Sequence, residues 1–176
     1  IGRDELEGWV ERINAEKPDL VLIAGDIVDG DVRPVVEDRL AEVLNRIEAP
    51  IYASLGNHEY FGGEAHRRQF LSQTKIQLLC DSVATFGDAS YLIGRDDETN
   101  TGRKSLQQLT AGLDRSKPIL VLDHQPHHLE QAELAGVDFQ LSGHTHRGQV
   151  FPLNLLGERM YERSHGYHRR GKTQYY

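Results

Sequence analysis

The chain is nearly devoid of sulfur: its 176 residues include one cysteine, Cys80, and one methionine, Met160. A lone thiol cannot form an intramolecular disulfide, so no covalent staple supports the fold and the compartment is left open. Because Met160 is the only methionine, Ile1 is expected to lie inside a longer polypeptide, and Tyr175-Tyr176 reads as the opening of a strand that continues. Positive charge is also scarce, with 20 Lys and Arg against 27 Asp and Glu, a net charge of -7. That balance argues against a general binder of nucleic acid or anionic membrane, and no nucleic-acid partner is expected. Long apolar runs are missing too. None approaches the roughly eighteen residues that a membrane span requires, and no signal-peptide pattern is visible.

The remaining composition, 38% hydrophobic and 27% charged, is that of a soluble globule able to bury a core. Residues 1–176 fit a single domain. Basic residues gather only near the end, where Arg159, Arg163, Arg169, Arg170 and Lys172 stand beside His165 and His168. This segment reads as a solvated edge, with a lipid or phosphate patch as the lesser alternative.

Apolar spacing lays out the elements. Leu6, Trp9, Val10 and Ile13 define an amphipathic helix that Lys17-Pro18-Asp19 ends. Leu20-Val21-Leu22-Ile23-Ala24 is an unbroken apolar run, the pattern of a strand covered on both faces, and it breaks at Gly25-Asp26. Pro34 opens a second helix, striped by Val36, Leu40, Val43, Leu44 and Ile47. The run Ile51-Tyr52-Ala53-Ser54-Leu55 then breaks at Gly56-Asn57-His58-Glu59. Strand, helix, strand makes a βαβ unit, so the two strands should be parallel. Further on, a polar helix around Glu64 to Gln73 is expected to be exposed, and Ile76 to Cys80 reads as an apolar run with a buried thiol. Val83 to Phe86 and Ala89 to Ile93 read as a hairpin turning on Gly87-Asp88. Asp96-Asp97-Glu98 reads as part of a solvated polar loop. Ser105 and Gln108 form a capping box for a helix carrying Leu106, Leu109 and Leu113.

The βα pattern then repeats. Ile119-Leu120-Val121-Leu122 breaks at Asp123-His124, a helix from about His127 to Ala135 stops at Gly136, and Phe139-Gln140-Leu141-Ser142 breaks at Gly143-His144-Thr145-His146. Gln149-Val150-Phe151 reads as one more strand. Each of four apolar strands thus ends in a residue able to bind a metal. In open α/β sheets the binding crevice lies beyond the carboxyl ends of the strands, so Asp26, Asn57, His124, His144 and His146 should converge. Imidazole, carboxylate and amide oxygen form a mixed nitrogen and oxygen set that suits zinc, manganese, iron or nickel better than calcium. The absence of Cys ligands argues against a structural zinc. Two such ions about 3.5–4 Å apart can lower the pKa of a shared water and clamp the oxygens of an in-line displacement, for which phosphate esters are natural substrates.

The ordered set Gly25-Asp26-Ile27-Val28-Asp29, Gly56-Asn57-His58-Glu59, Asp123-His124 and Gly143-His144-Thr145-His146 resembles the calcineurin-like metallophosphoesterase superfamily. Leu122 to Pro126, Leu141 to Phe151 and Pro152 to Leu156 are similar to its bacterial membrane-anchored branch. The resemblance implies an α/β fold: a layered α/β sandwich with mixed, largely parallel sheets, helices outside and the metal site at the carboxyl ends of the strands. It implies a metal-dependent phosphoesterase acting on a phosphomonoester, phosphodiester or pyrophosphate through a dinuclear centre and a bridging hydroxide. Asp26 would bridge two divalent transition-metal ions, Asn57, His124 and His144 would complete one site, and His146 would belong to the other. His58 would protonate the leaving group, with Asp29 orienting its ring. The branch also implies a membrane-associated bacterial protein, held through segments outside this chain.

The chain departs from the family pattern at two places. Nothing upstream of Asp26 matches the Asp-x-His motif that opens the family, so this chain, truncated at both ends, is expected to hold one ion. A catalytically inactive metal-binding or interaction domain is the alternative reading. Arg147 stands where the branch has Gly, and it reads as solvent-facing, with a phosphate contact as the alternative. Tyr60 is a further candidate to contact substrate, since it opens the loop after Glu59. The paired histidines also bring to mind a hydrolase of the metallo-β-lactamase type. That fold expects His-x-His-x-Asp-His in one loop, and Arg147-Gly148-Gln149 does not supply it.

Overall fold

In the computed structural model, which describes residues 2–28, 38–61, 69–145 and 165–176, the apolar runs pair into two sheets. Strands β1 (Val21–Ala24), β2 (Ile51–Ser54) and β3 (Gln77–Leu78) form a parallel three-stranded sheet in that order. The other strands are β4 (Ser82–Phe86), β5 (Ser90–Gly94), β6 (Ile119–Leu122), β7 (Phe139–Leu141), β8 (His168–Arg170) and β9 (Thr173–Tyr175). They make a six-stranded mixed sheet, β4-β5-β6-β7-β9-β8, in which β5, β6, β7 and β9 are parallel. Helices lying wholly within the described residues are α1 (Arg3–Ala15), α2 (Leu40–Leu44), α3 (His58–Phe61), α4 (Leu106–Leu109) and α5 (Glu130–Leu134).

Strand side chains point alternately to opposite faces, and here both destinations are apolar. In β1, Val21 and Ile23 pack with Leu6 and Val10 of α1 and Leu40 and Val43 of α2. The intervening Leu22, with Leu20, joins Tyr52, Leu79, Leu92 and Leu120 between the sheets. The second sheet repeats the scheme: Ile119 and Val121 of β6 face Leu106 and Leu109 of α4 and Ala132 of α5, while Leu120 faces inward. The layers are therefore helix, sheet, sheet, helix. Each fully buried Leu or Ile contributes ~1.5–3 kcal/mol, which is why unbroken apolar runs and not alternating ones mark these strands. The α/β sandwich, the mixed and largely parallel sheets and the parallel pairing of β1 with β2 are as expected.

Several local expectations are corrected. Trp9 is 49% exposed, because it sits on the flank of the stripe that Leu6 and Val10 bury against α2. Residues 69–72 are helical, yet Phe70 and Leu71 are buried in the α1–α2 core and not exposed. The hairpin loop has three residues, 87–89, since Phe86 pairs with Ser90. That register keeps Ala84 opposite Leu92, both directed between the sheets, and burial fixes it more firmly than the turn type does. Helix α5 begins at Glu130 instead of near His127, because His128 is left-handed (φ 52°) and interrupts any earlier turn. Leu113 lies beyond α4 but still packs against its core. Cys80 is half-buried, as β3 stops at Leu78. The capping box between Ser105 and Gln108 is present in both directions. Pro34, Val36 and the strand expected at Gln149 to Phe151 lie outside the described residues.

Candidate metal centre

Four strand ends meet at one place. Asp26 follows β1, Asn57 follows β2, His124 follows β6 and His144 follows β7. The first two come from the three-stranded sheet and the last two from the six-stranded sheet. Potential ligand atoms of Asp26, His124 and His144 all lie within 4.8 Å of one another. Asn57 stands among them, its Oδ1 3.0 Å from His124 Nε2 and 2.9 Å from His144 Nδ1. His146, Arg147 and Asp29 lie outside the described residues.

Backbone geometry brings the strand ends this close. Gly25 has φ 78°, and a Cβ there would lie 2.7 Å from both Gly56 N and His124 Nδ1. A Cβ on Gly56 would lie 2.2 Å from Asp26 Oδ1. Both positions therefore exclude a side chain. Asp26 (φ 52°) and His144 (φ 66°) are themselves left-handed, a conformation that costs ~1–3 kcal/mol for a non-glycine residue and persists where the surroundings enforce it. Glu59 supplies much of that enforcement. It is 4% exposed, and its carboxylate accepts the N–H of Asp26 (2.9 Å), Gly56 (2.7 Å) and Val28 (3.1 Å), tying the loop after β1 to the loop after β2.

The donor set fits a cation. His124, 1% exposed, donates from Nδ1 to the Ala24 carbonyl at 2.6 Å. A carbonyl can only accept, so Nδ1 carries a hydrogen, and Nε2 either donates its own hydrogen in the imidazolium or presents a lone pair to a cation in the neutral ring. Nε2 faces Asp26 Oδ2 at 3.1 Å and Asn57 Oδ1 at 3.0 Å. These three atoms can stand so close only with a positive charge among them, a proton on Nε2 or a bound cation. Imidazole nitrogens, a carboxylate and an amide oxygen are appropriate ligands for a divalent transition metal. Burial acts to raise the Asp26 pKa, but the hydrogen bond and charge of His124 and the His58 N–H outweigh it, and the net direction is down. For His124, burial acts downward and is outweighed by Asp26 and the Ala24 carbonyl, so its pKa is raised. His144 is lowered, first by burial and then by the charge of His124.

His58 opens α3, and its backbone N–H donates to Asp26 Oδ1 at 3.1 Å. Its ring meets the edge of Phe61 at 6.2 Å, and Phe61 is 71% exposed. The Tyr60 hydroxyl donates to Asp96 at 2.6 Å, and burial, followed by that carboxylate, pushes its pKa up. A cavity of about 390 Å³ opens on Asp26, His124 and His144 and is lined also by Thr145, His165 and Tyr176.

The first part of the loop expected to be solvated, Gly94 to Asp97, proves to be buried behind the site, while Thr99, Thr101 and Gly102 are exposed. Asp96 and Asp97 are 2% and 0% exposed, and Arg95 with Arg103 brackets the Asp123 carboxylate, each at 3.1 Å. Burial raises the Asp123 pKa, while the charges of Arg103 and Arg95 act against that rise. Sequence reasoning gave no role to Glu59, Arg95, Arg103 or Asp123. Glu59 and Asp123 stood inside the quoted motifs. The two arginines carried no signal, because their partner lies 20 and 28 residues away.

The sequence profile of the calcineurin-like phosphoesterase family matches residues 1–148. A Helicobacter pylori protein named an uncharacterized metallophosphoesterase is 33% identical over 184 residues, covering 100% of this chain and 49% of that protein. An Aquifex aeolicus protein of the same name is 30% identical over 86% of this chain and 60% of its own length. A Danio rerio protein named a transmembrane protein with metallophosphoesterase domain is 32% identical over 89% of this chain and 39% of its own. The chain thus spans about half the length of the curated relatives it matches. Among solved structures, a putative 5'-nucleotidase from Staphylococcus aureus superposes with TM-score 0.61 at 16% identity, over 97% of this chain and 42% of that one. A 5'-nucleotidase precursor from Thermus thermophilus gives TM-score 0.58 at 20% identity, over 80% of this chain and 35% of that one. These likenesses establish a shared fold. With its family profile matched from the first residue through the Gly143-His144-Thr145-His146 motif, the chain belongs to the calcineurin-like phosphoesterase family.

Proposed function

We propose that this chain carries the metal-binding and catalytic residues of a phosphoesterase that hydrolyses a phosphomonoester, phosphodiester or pyrophosphate. The observation that carries the reading is the convergence of Asp26, Asn57, His124 and His144 from four strand ends in two sheets. These four would hold one divalent ion, zinc, manganese, iron or nickel, and His146 with Asp26 would serve a second. When bound, the ions would supply Lewis acidity toward the phosphoryl oxygens and a water acidified enough to attack. The chain's own groups do the rest. Ala24 fixes the His124 tautomer, Glu59 fixes the loops bearing Asp26 and Asn57, and the cavity admits the phosphate group. His58, with Asp29 as its orienting carboxylate, gives its proton to the departing oxygen, which is a poor leaving group as an alkoxide.

The relatives named transmembrane proteins support membrane association of the whole protein through segments outside this chain. No helix among the described residues is long and apolar enough to cross a membrane. The test of function is hydrolysis of nitrophenyl phosphate and bis(nitrophenyl) phosphate with added Mn²⁺, by this chain and by His124→Ala. Metal-dependent turnover that His124→Ala abolishes is expected, and it is expected to be weak, because the second ion would have only Asp26 and His146 within this chain. Turnover equal in EDTA, or equal in the variant, would falsify the proposal.

A further inference from the structure

The segment Arg95-Asp96-Asp97 touches all the turns that present Asn57 and His124. Arg95 Nη1 donates to Asp123 Oδ2 at 3.1 Å, beside His124. Asp96 Oδ1 accepts from Tyr60, in the same helical turn as His58, and Oδ2 accepts from Asn100 at 2.7 Å. Asp97 accepts from Gln125 Nε2 on both oxygens, at 3.1 and 3.0 Å, and from the N–H and hydroxyl of Thr99 at 2.9 and 2.6 Å. Each donor to Asp97 is neutral. No Lys, Arg or His among the described residues forms an ion pair with either Asp96 or Asp97, although both are at most 2% exposed. The neighbouring charges do not rescue them: Arg95 and Arg103 are engaged with Asp123, and Arg103 also with Glu98. Two guanidiniums, Arg95 and Arg103, thus stand against four carboxyl groups, Asp96, Asp97, Glu98 and Asp123, with His127 Nδ1 on Glu98 at 2.8 Å.

A buried carboxylate with only neutral donors is costly in isolation, and a cation close by in the same low-dielectric region removes most of that cost. We propose that Asp97 is a positioning and charge-compensating residue for the metal centre: it orients the His124–Gln125 turn and contributes a buried negative charge that strengthens cation binding. This inference rests on the proposed metal centre. It adds to that reading a residue that touches neither metal nor substrate and lies outside the family's ligand motifs.

The experiment is Mn²⁺ titration by calorimetry, with thermal unfolding in EDTA and in Mn²⁺, on the unmodified chain, Asp97→Asn and Thr99→Val. Asparagine keeps the shape and one acceptor oxygen but removes the charge. Asp97→Asn is expected to bind Mn²⁺ about tenfold more weakly, a loss larger than any fall in its EDTA midpoint accounts for. Thr99→Val, which removes a donor and leaves the charge, should lower the EDTA midpoint with affinity preserved. If Asp97→Asn binds Mn²⁺ as the unmodified chain does, or loses affinity only in proportion to a lowered EDTA midpoint, the inference is overturned. Should that variant fail to fold, Asp96→Asn decides by the same two readouts. Failure of the unmodified chain to bind Mn²⁺ would instead overturn the metal centre itself, and with it this inference.

Discussion

Glu59 distinguishes a positioning carboxylate from a ligand. Its two oxygens accept three backbone N–H groups at 4% exposure, so glutamine, with one acceptor oxygen and an amide N–H₂, must set a donor against a donor. Glu59→Gln is expected to destabilise the chain by ~1–3 kcal/mol and to weaken Mn²⁺ binding, read from urea unfolding and calorimetry. The role of His58 makes a different prediction. His58→Ala should lose far more turnover on an alkyl phosphate than on nitrophenyl phosphate, whose leaving group hardly needs a proton, while metal content stays the same. Equal losses on the two substrates would move His58 out of the acid's role. At this scale the four converging residues could be read directly, because Asp26, Asn57, His124 and His144 each end an apolar run. Their supporting groups could not. Arg95 and Arg103 meet Asp123 only after the chain folds back, and nothing in the local pattern of residues 94–102 separates a buried polar knot from a wet loop.

The elements that present these residues depend on their neighbours. β7, which leads to His144, is flanked by β6 and by β9, and β9 is anchored by one buried hydrogen bond at each of its ends. Thr173 Oγ1 donates to the Val137 carbonyl at 2.7 Å, and Tyr175 Oη donates to the Leu129 carbonyl at 2.7 Å. Tyr175→Phe should therefore cost ~0.5–1.5 kcal/mol, since the Leu129 carbonyl keeps only the Ala132 N–H, at 3.2 Å. The measurement is a denaturant midpoint at constant m, and a midpoint unchanged by the substitution would show that water replaces the hydroxyl. Strands were the easiest elements to read, since Leu20 to Ala24 and Ile119 to Leu122 are apolar at every position and both their faces are covered. Short helices were harder. α5 starts three residues late because of the left-handed His128, and Phe70 and Leu71 lie in a segment whose polar flanks hid a buried pair.

At the scale of the whole molecule, the layer between the sheets holds the two halves of the site in register. Tyr52, Leu79 and Leu92 form its buried centre. Leu92→Ala removes methylenes from that layer and should destabilise by ~2–5 kcal/mol, the range depending on how far the sheets can close on the cavity. It should also weaken Mn²⁺ binding, although Leu92 contacts no ligand, and a variant that is destabilised yet binds metal at full affinity would show that the sheets dock independently of this layer. Calorimetry on the folded fraction checks it.

The division of donors between the sheets has a reciprocal meaning. With Asp26 and Asn57 on one sheet and His124 and His144 on the other, neither sheet alone presents more than two of the four. A cation held by all four is therefore a gauge of the spacing between sheets. Whatever parts them, a mechanical load or a partner wedged against one edge, must loosen the ion, and by thermodynamic linkage the ion must resist that parting to the same degree.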